Sequence, residues 1–144
     1  MIKARIPSLL AAILVFTSCS VMCIKKPALT NTVWTAESHM FVADAGTETT
    51  TCTLTFHPGK QYTLVTERVL PPHPAMYMNP DGQADIVPGY VSEYTEKGTY
   101  SYKKGELVLT SSEGDTKKLI YLDGAFSASW ILGDEPAKFE KTQP

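Results

Sequence analysis

The chain has 144 residues, of which 43% are hydrophobic and 19% charged, and its formal net charge is −2. These values are typical of one globular domain and exclude a chain that is mainly disordered. Phosphate recognition relies on clustered Lys and Arg, and no basic pair here grows into a patch, so the composition argues against a nucleic-acid partner.

The first predicted element is an export signal over residues 1–18. Lys3 and Arg5 give it a positively charged start, and the apolar run 9–16 follows. Such a run is too short to remain as a helix across a bilayer. The segment is therefore predicted to direct export and then to be removed.

The end of this signal resembles that of a bacterial lipoprotein. The small residues Thr17 and Ser18 precede Cys19, which the resemblance implies is acylated and becomes the first residue of the mature protein. Phe16 stands where an aliphatic residue is usual, and an ordinary cleaved signal without lipid is the alternative reading. Because Ser20 rather than aspartate follows the cysteine, the resemblance implies sorting to the outer membrane, and we expect the periplasmic face.

Residues 19–30 are predicted to form a lipidated tether before a β domain at 31–141. Removal of two basic residues with the signal leaves 13 − 2 = 11 basic against 15 acidic residues, a net charge of −4, so acyl chains rather than charge would anchor the chain. Of the other cysteines, Cys52 is expected to be a buried small hydrophobe, and whether it pairs with Cys23 stays open.

Alternating side chains predict the first strands of the domain. Trp34 in the opening strand is expected to be a large core anchor. Over 49–56, Cys52, Leu54 and Phe56 share one face while threonines share the other, as in a half-buried strand. Residues 61–69 return as the second arm of a hairpin, with Tyr62 and Leu64 inward.

Residues 70–88 interrupt this rhythm. They contain five prolines in nineteen positions, and a proline lacks the backbone N–H donor that a residue in a central strand supplies. We therefore predict a long loop, and loops of this length in compact domains are often lids or binding segments. Within it, Pro80-Asp81-Gly82 predicts a plain turn and not a calcium site. The positions at which a calcium-binding loop needs carboxylates hold other residues.

The chain is predicted to be organised around a hairpin at 98–111, with a Lys-Lys-Gly turn between its arms. Tyr100 and Tyr102 share a face before the turn, and Leu107 and Leu109 share one after it. Further strands are expected over the ranges 115–122, 125–132 and 137–141. About eight short strands with turns between neighbours predict an all-β antiparallel up-and-down meander that closes into a small barrel or a flattened sandwich.

The lipoprotein signal, the Asn31-Thr-Val-Trp34 opening strand, the hairpin at 98–111 and the late strand with Trp130 together resemble the small lipocalin-like lipoproteins of Gram-negative bacteria. The resemblance covers roughly residues 30–140 and rests on the regular spacing of the predicted strands rather than on catalytic motifs. It implies a lipocalin-like barrel on a lipid anchor; a related small barrel module of another family is equally compatible.

Aromatic side chains are the predicted core, and an eight-stranded barrel either fills with them or leaves room for one small ligand. The predicted core aromatics are Trp34, Phe41, Phe56, Tyr62, Tyr90, Tyr100, Tyr102, Phe126 and Trp130. If the interior is open, polar aromatic tips would orient an apolar ligand. The candidate ligand-binding residues are Tyr62, Tyr77, Tyr90, Tyr100, Tyr102 and Trp130.

The 70–88 segment also holds the one metal-like spacing, formed by His73, Met76 and Met78. Imidazole and thioether ligands suit copper, particularly Cu(I). The alternative is that the methionines cap an apolar mouth of the barrel. The three histidines lie too far apart in the sequence, without a Cys-x-x-Cys motif, to predict structural zinc.

The sequence therefore predicts a non-catalytic, membrane-anchored binding module for a small apolar ligand or a protein partner, with no cofactor. A filled interior would place binding on the 70–88 segment. Periplasmic copper binding is one alternative, and an enzyme with dispersed catalytic residues is another, because catalytic groups can converge from distant strands without leaving a motif.

Overall fold

The computed structural model describes residues 25–143, without the side chain of the last of them, and these residues form ten strands. Their bounds are β1 (Val33–Val42), β2 (Gly46–His57), β3 (Gln61–Leu70), β4 (His73–Met78), β5 (Ala84–Val87), β6 (Tyr90–Lys103), β7 (Glu106–Ser111), β8 (Thr116–Leu122), β9 (Ala125–Ala128) and β10 (Ala137–Gln143). Within this part of the chain, no helix is long and apolar enough to cross a membrane.

Eight of the strands close into an antiparallel barrel in the order β1-β2-β3-β6-β7-β8-β9-β10, and β10 pairs back onto β1. Apart from the step from β3 to β6, each strand pairs with its neighbour in sequence. The predicted all-β up-and-down barrel is confirmed, and the sheet closes as a barrel rather than as a flattened sandwich. The closed sheet and the apolar core described here are formed by residues 25–143.

Alternation along β2 explains why this part of the chain forms a barrel wall. Cys52, Leu54 and Phe56 are fully buried, while the intervening threonines are partly exposed. Leu54 lies opposite Leu64, and Phe56 lies opposite Tyr62, so the inward side chains of β2 and β3 meet in register. The facing predicted for these strands is confirmed.

The two ends of the barrel differ, and we name them by what they carry. The lower end holds residues 25–32 and the turns at 58–60, 104–105 and 123–124. The upper end holds the turn at 43–45, the connection from β3 to β6, the turn at 112–115 and the loop at 129–136. Strands β4 and β5 form a separate two-stranded sheet at the upper end.

Apolar side chains fill the lower half of the interior. The largest fully buried ones are Tyr62, Phe56, Phe126, Phe139, Leu54, Leu107, Leu109, Leu119 and Cys52. Trp34 packs edge-on against Phe126 with ring centroids 5.0 Å apart, and Leu29 joins the same cluster from below. Edge-to-face packing of this kind adds to the free energy gained by burial. The packed domain therefore includes the end of the segment predicted as a tether.

Two of the predicted core aromatics are not in the core. Phe41 is 68% exposed, because it occupies an outward position of β1 opposite Thr47, near the upper end. Tyr90 is 42% exposed at the start of β6. At Phe41 the prediction was wrong because it relied on residue type and not on strand parity. Tyr90 shares the inward parity of Glu96 and Tyr100, and it is exposed because it is the first residue of β6, at the upper end of the barrel.

The prediction of an irregular loop over 70–88 was also wrong, since β4 and β5 pair there as an antiparallel hairpin. The prolines are tolerated because this hairpin lies outside the barrel and both of its strands are edge strands. A register shift between Pro74 and Met78 marks the place where the pairing is irregular. The predicted turn at 80–82 is confirmed.

Candidate functional site

The β4–β5 hairpin exposes the largest group of apolar side chains at the upper end. Tyr77 is 82% exposed, and the other four large apolar side chains of the hairpin are also exposed. They are Met76, Met78, Ile86 and Val87. We call these five residues the apolar hairpin surface. Neighbouring residues on a strand point to opposite faces, so these exposed apolar side chains lie on both faces of the hairpin. Grouped exposed apolar side chains mark sites of interaction more often than isolated ones do.

A well-ordered turn fixes the tip of the hairpin. The Asn79 side-chain oxygen accepts hydrogen bonds from the backbone N–H groups of Asp81, at 3.2 Å, and Gln83, at 3.0 Å. The Asn79 backbone N–H donates to the Gln83 carbonyl at 2.7 Å, and Gly82 adopts a φ of 78° that suits glycine. The tip is thus preorganised, although isolated two-stranded hairpins are marginally stable in water.

The hairpin joins the barrel through a narrow neck at Gly89. A Cβ atom on Gly89 would lie 1.9 Å from the Leu70 carbonyl oxygen and 2.6 Å from the Pro71 carbonyl carbon. The chain leaving β3 and the chain entering β6 therefore touch through their backbones. Only a residue without a side chain fits this crossing.

A buried carboxylate lies directly inside the neck. Glu48, which is 4% exposed, accepts hydrogen bonds at Oε1 from Arg68 Nε at 3.0 Å and from an Arg68 terminal nitrogen at 2.6 Å. The Tyr90 hydroxyl donates to the second oxygen of the same carboxylate. This network joins β2, β3 and β6, so it holds the first residue of β6 in place below the hairpin.

A second buried carboxylate lies in the middle of the barrel. Glu96 is 8% exposed; it accepts a hydrogen bond from the Tyr62 hydroxyl at 2.6 Å and pairs with Lys117 Nζ at 2.5 Å. Burial first, and then the hydrogen bond to Glu96, raises the pKa of the Tyr62 hydroxyl above its usual range. Lys117 Nζ also lies 5.7 Å from the centre of the Trp130 ring.

Neither carboxylate was predicted as a site residue from the sequence. Glu48 shares the inward parity of Cys52, Leu54 and Phe56 on β2, and that parity was a signal that could have placed it inside. Their cationic partners lie 20 and 21 residues away on other strands, so no local spacing indicates the pairs.

A small cavity of about 170 Å³ lies beside the loop at 129–136, between the level of Glu48 and that of Glu96 along the strands. It is lined by Thr50, Cys52, Thr66, Arg68 and the loop residues 130–132. The Cys52 thiol contacts the Thr66 hydroxyl at 3.6 Å, and burial raises its pKa more than this contact lowers it. The thiol is therefore protonated and behaves as the buried hydrophobe that the sequence predicted.

The structure distributes the predicted ligand-binding residues over the whole molecule instead of around one cup. Tyr62 lies in the core, Tyr77 on the hairpin and Tyr90 at the neck. Tyr100 and Tyr102 lie near the lower end, and Trp130 lies in the loop at the upper end, beside the 170 Å³ cavity. No single small ligand can touch all six.

The predicted copper ligands all lie on β4. Met76 and Met78 are two residues apart and exposed, while a ring nitrogen of His73 lies 3.2 Å from the Pro71 carbonyl oxygen. In residues 25–143, no three His, Cys, Asp or Glu side chains lie close enough together to hold a metal ion.

The predicted lipidation site, Cys19, and the predicted signal and its cleavage site lie outside the residues that the structure describes. Comparison with protein-family models, with curated proteins and with solved structures found no match to this chain.

Proposed function

We propose that this chain is a non-catalytic, lipid-anchored protein of the bacterial envelope that binds a protein partner through the apolar hairpin surface. Acylated Cys19 would hold it at the outer membrane, facing the periplasm. The single observation that carries the proposal is that Met76, Tyr77, Met78, Ile86 and Val87 are exposed together on a preorganised hairpin. Preorganisation lowers the entropic cost of binding.

A protein fits this surface better than the anchoring membrane does. The chain enters the barrel at its lower end, while the hairpin leaves from the upper end of the ten-residue strand β3. The two ends are therefore separated by roughly 30 Å along that strand. A hairpin so far from the tether is directed away from the membrane that holds Cys19.

Charge indicates the chemistry of the partner. Asp81 and Asp85 are exposed on the hairpin itself, and Glu67 and Glu93 are exposed on the barrel wall below it. We therefore expect an apolar groove with a basic rim, since complementary charge raises association rates and selects partners.

Site-specific photocrosslinking in cells tests this proposal. A photoreactive residue at Ile86 should give one discrete protein adduct, and the same residue at Ile120, which is exposed on the barrel wall, should give none. The purified partner should then bind the barrel at least about 10-fold more weakly after Met76→Ser with Met78→Ser. Equal adducts at both positions, or unchanged affinity, would contradict the proposal.

A small amphiphilic ligand in the 170 Å³ cavity is the second candidate. Trp130, Ile131 and Leu132 give this cavity an apolar side, while Thr50 and Arg68 give it a polar side. Its volume resembles that of cavities that hold benzene, about 150 Å³. Native mass spectrometry of the protein purified from its own envelope tests this candidate, because a retained mass that Ile131→Trp abolishes would identify this cavity.

The same mass spectrum would also show bound copper. If the copper were absent from the Met76→Ser with Met78→Ser variant, β4 would be identified as a metal site.

A further inference from the structure

A group of lysines surrounds the lower end of the barrel, where the sequence predicted no basic patch, because the fold brings together lysines that are far apart in the chain. Lys25, Lys26, Lys60, Lys103 and Lys104 are all exposed there. Lys60 and Lys104 sit at turns with φ of 57° and 51°, at the tips where β2 meets β3 and β6 meets β7. We call these five residues the lysine face.

This face is basic although the chain is slightly acidic, with a net charge of −2. The acidic residues at the same end are Glu106, Asp123 and Glu140. Glu106 pairs with Lys118 Nζ at 3.6 Å, and Lys141 follows Glu140 directly. The upper end instead carries exposed carboxylates with few cations. They are Asp44, Glu67, Asp81, Asp85, Glu93, Glu113, Asp115, Asp134 and Glu135. Charge is therefore separated along the barrel axis.

Aromatic rings accompany the lysines. A cavity of about 450 Å³ at the lower end is lined by residues 26–30, Lys60, Tyr100 and Tyr102. Lys26 Nζ lies 6.0 Å from the centre of the Tyr102 ring. Lysine beside tyrosine is a combination typical of protein surfaces at the level of lipid headgroups, because both side chains pair an apolar stem or ring with a polar tip.

We propose that the lysine face rests on the anionic phospholipid headgroups of a bilayer. The lysines attract phosphate, the acidic upper end is repelled by it, and the barrel stands with its hairpin away from the surface. The proposed anchor at Cys19 lies 25 − 19 = 6 residues before Lys25, so the chain between them reaches at most about 20 Å. The lysine face is thus the part of the barrel nearest to that membrane, although its attraction to headgroups does not depend on acylation.

Vesicle binding by residues 25–144, made without any lipid, tests this inference. The closed barrel lies within these residues, so they can be used alone. The protein should sediment with mixed phosphatidylglycerol and phosphatidylcholine vesicles at low salt, and not with pure phosphatidylcholine vesicles. Added salt should weaken the binding, because it screens exposed charges.

Two triple variants with the same net charge locate the contact. Lys26→Gln, Lys60→Gln and Lys104→Gln together should weaken binding about 100-fold, from the contribution of each lysine near an anionic surface. The matched control makes the same Lys→Gln change at Lys97, Lys118 and Lys138, which are exposed on the barrel wall. It should change binding less than about 3-fold. Since all six side chains are exposed, both variants should fold.

Three results would overturn the inference: no binding to the anionic vesicles, equal losses in the two triple variants, or release from the vesicles by inorganic phosphate at constant ionic strength. The last result would identify the face as a site for a soluble phosphate. The assay uses neither the acyl anchor nor the hairpin partner, so its failure would leave the proposed function untouched.

Discussion

Phe56 and Phe41 carry the same side chain but lie on opposite sides of the barrel wall. Phe56 is fully buried and stacks edge-on against Tyr100 at 4.8 Å, while Phe41 points into solvent. Phe56→Ala should therefore lower the free energy of unfolding by about 3–5 kcal/mol, the usual cost of an aromatic-sized cavity. Phe41→Ala should change it by less than about 0.5 kcal/mol. Urea denaturation of both variants measures the difference, and similar losses would contradict the assigned facing of β1.

Tyr62 should make the protein sensitive to alkali. Because its pKa is raised in the folded chain, the unfolded chain loses this proton first, and the free energy of unfolding falls as the pH rises above about 10. One such tyrosine contributes a slope of about 1.4 kcal/mol per pH unit. In Tyr62→Phe this component is absent, so the stability curves of variant and wild type should converge as pH rises. Tyr77→Phe, on the exposed hairpin, is the control, and parallel curves for Tyr62→Phe would refute the assignment.

At the scale of secondary-structure elements, Gly89 determines how the hairpin is attached. Gly89→Ala places a methyl group against the Leu70 carbonyl, so the two chains of the neck must separate. We expect a loss of about 1–3 kcal/mol in stability. Amide hydrogen exchange across β4, β5 and the start of β6 should accelerate, because the Tyr90 contact with Glu48 depends on the neck.

Gly82→Asn is the matched control for this neck variant. Gly82 has a positive φ that asparagine tolerates, and a Cβ there meets no atom within 4 Å. The Gly82→Asn variant should leave amide hydrogen exchange in β6 unchanged. Unaltered exchange in Gly89→Ala would mean that the neck is not the point of attachment.

The sequence predicted elements well where burial alternates, as in the part of β2 from Cys52 to Phe56, because each inward position there is apolar. It failed over 70–88, where prolines were read as a loop although edge strands outside a barrel accept them. It also failed for Glu48 and Glu96. Strand parity could have placed Glu48 inside, but the cation that pairs with each carboxylate, Arg68 or Lys117, comes from another strand and leaves no local pattern.

At the scale of the whole molecule, the barrel depends on the pairing of its first and last strands. The Thr35 and Thr142 hydroxyl oxygens lie 3.1 Å apart across β1 and β10. Cysteines at these two positions should therefore form a disulfide when oxidised, and a linked peptide should be found by mass spectrometry. Cysteines at Thr35 and Lys118, three strands apart in the barrel order, should not link. A link in the second pair alone would contradict the closed order.

The same closure has a consequence for how the chain is made. Val33 at the start of β1 pairs with Gln143 at the end of β10. One of the two strands that pair with β1 is therefore β10, the last seven residues of the sheet. A nascent chain still missing β10 has two open sheet edges and cannot be a barrel. Translation must therefore reach residue 143 before β1 and β10 can pair along the whole of their seam.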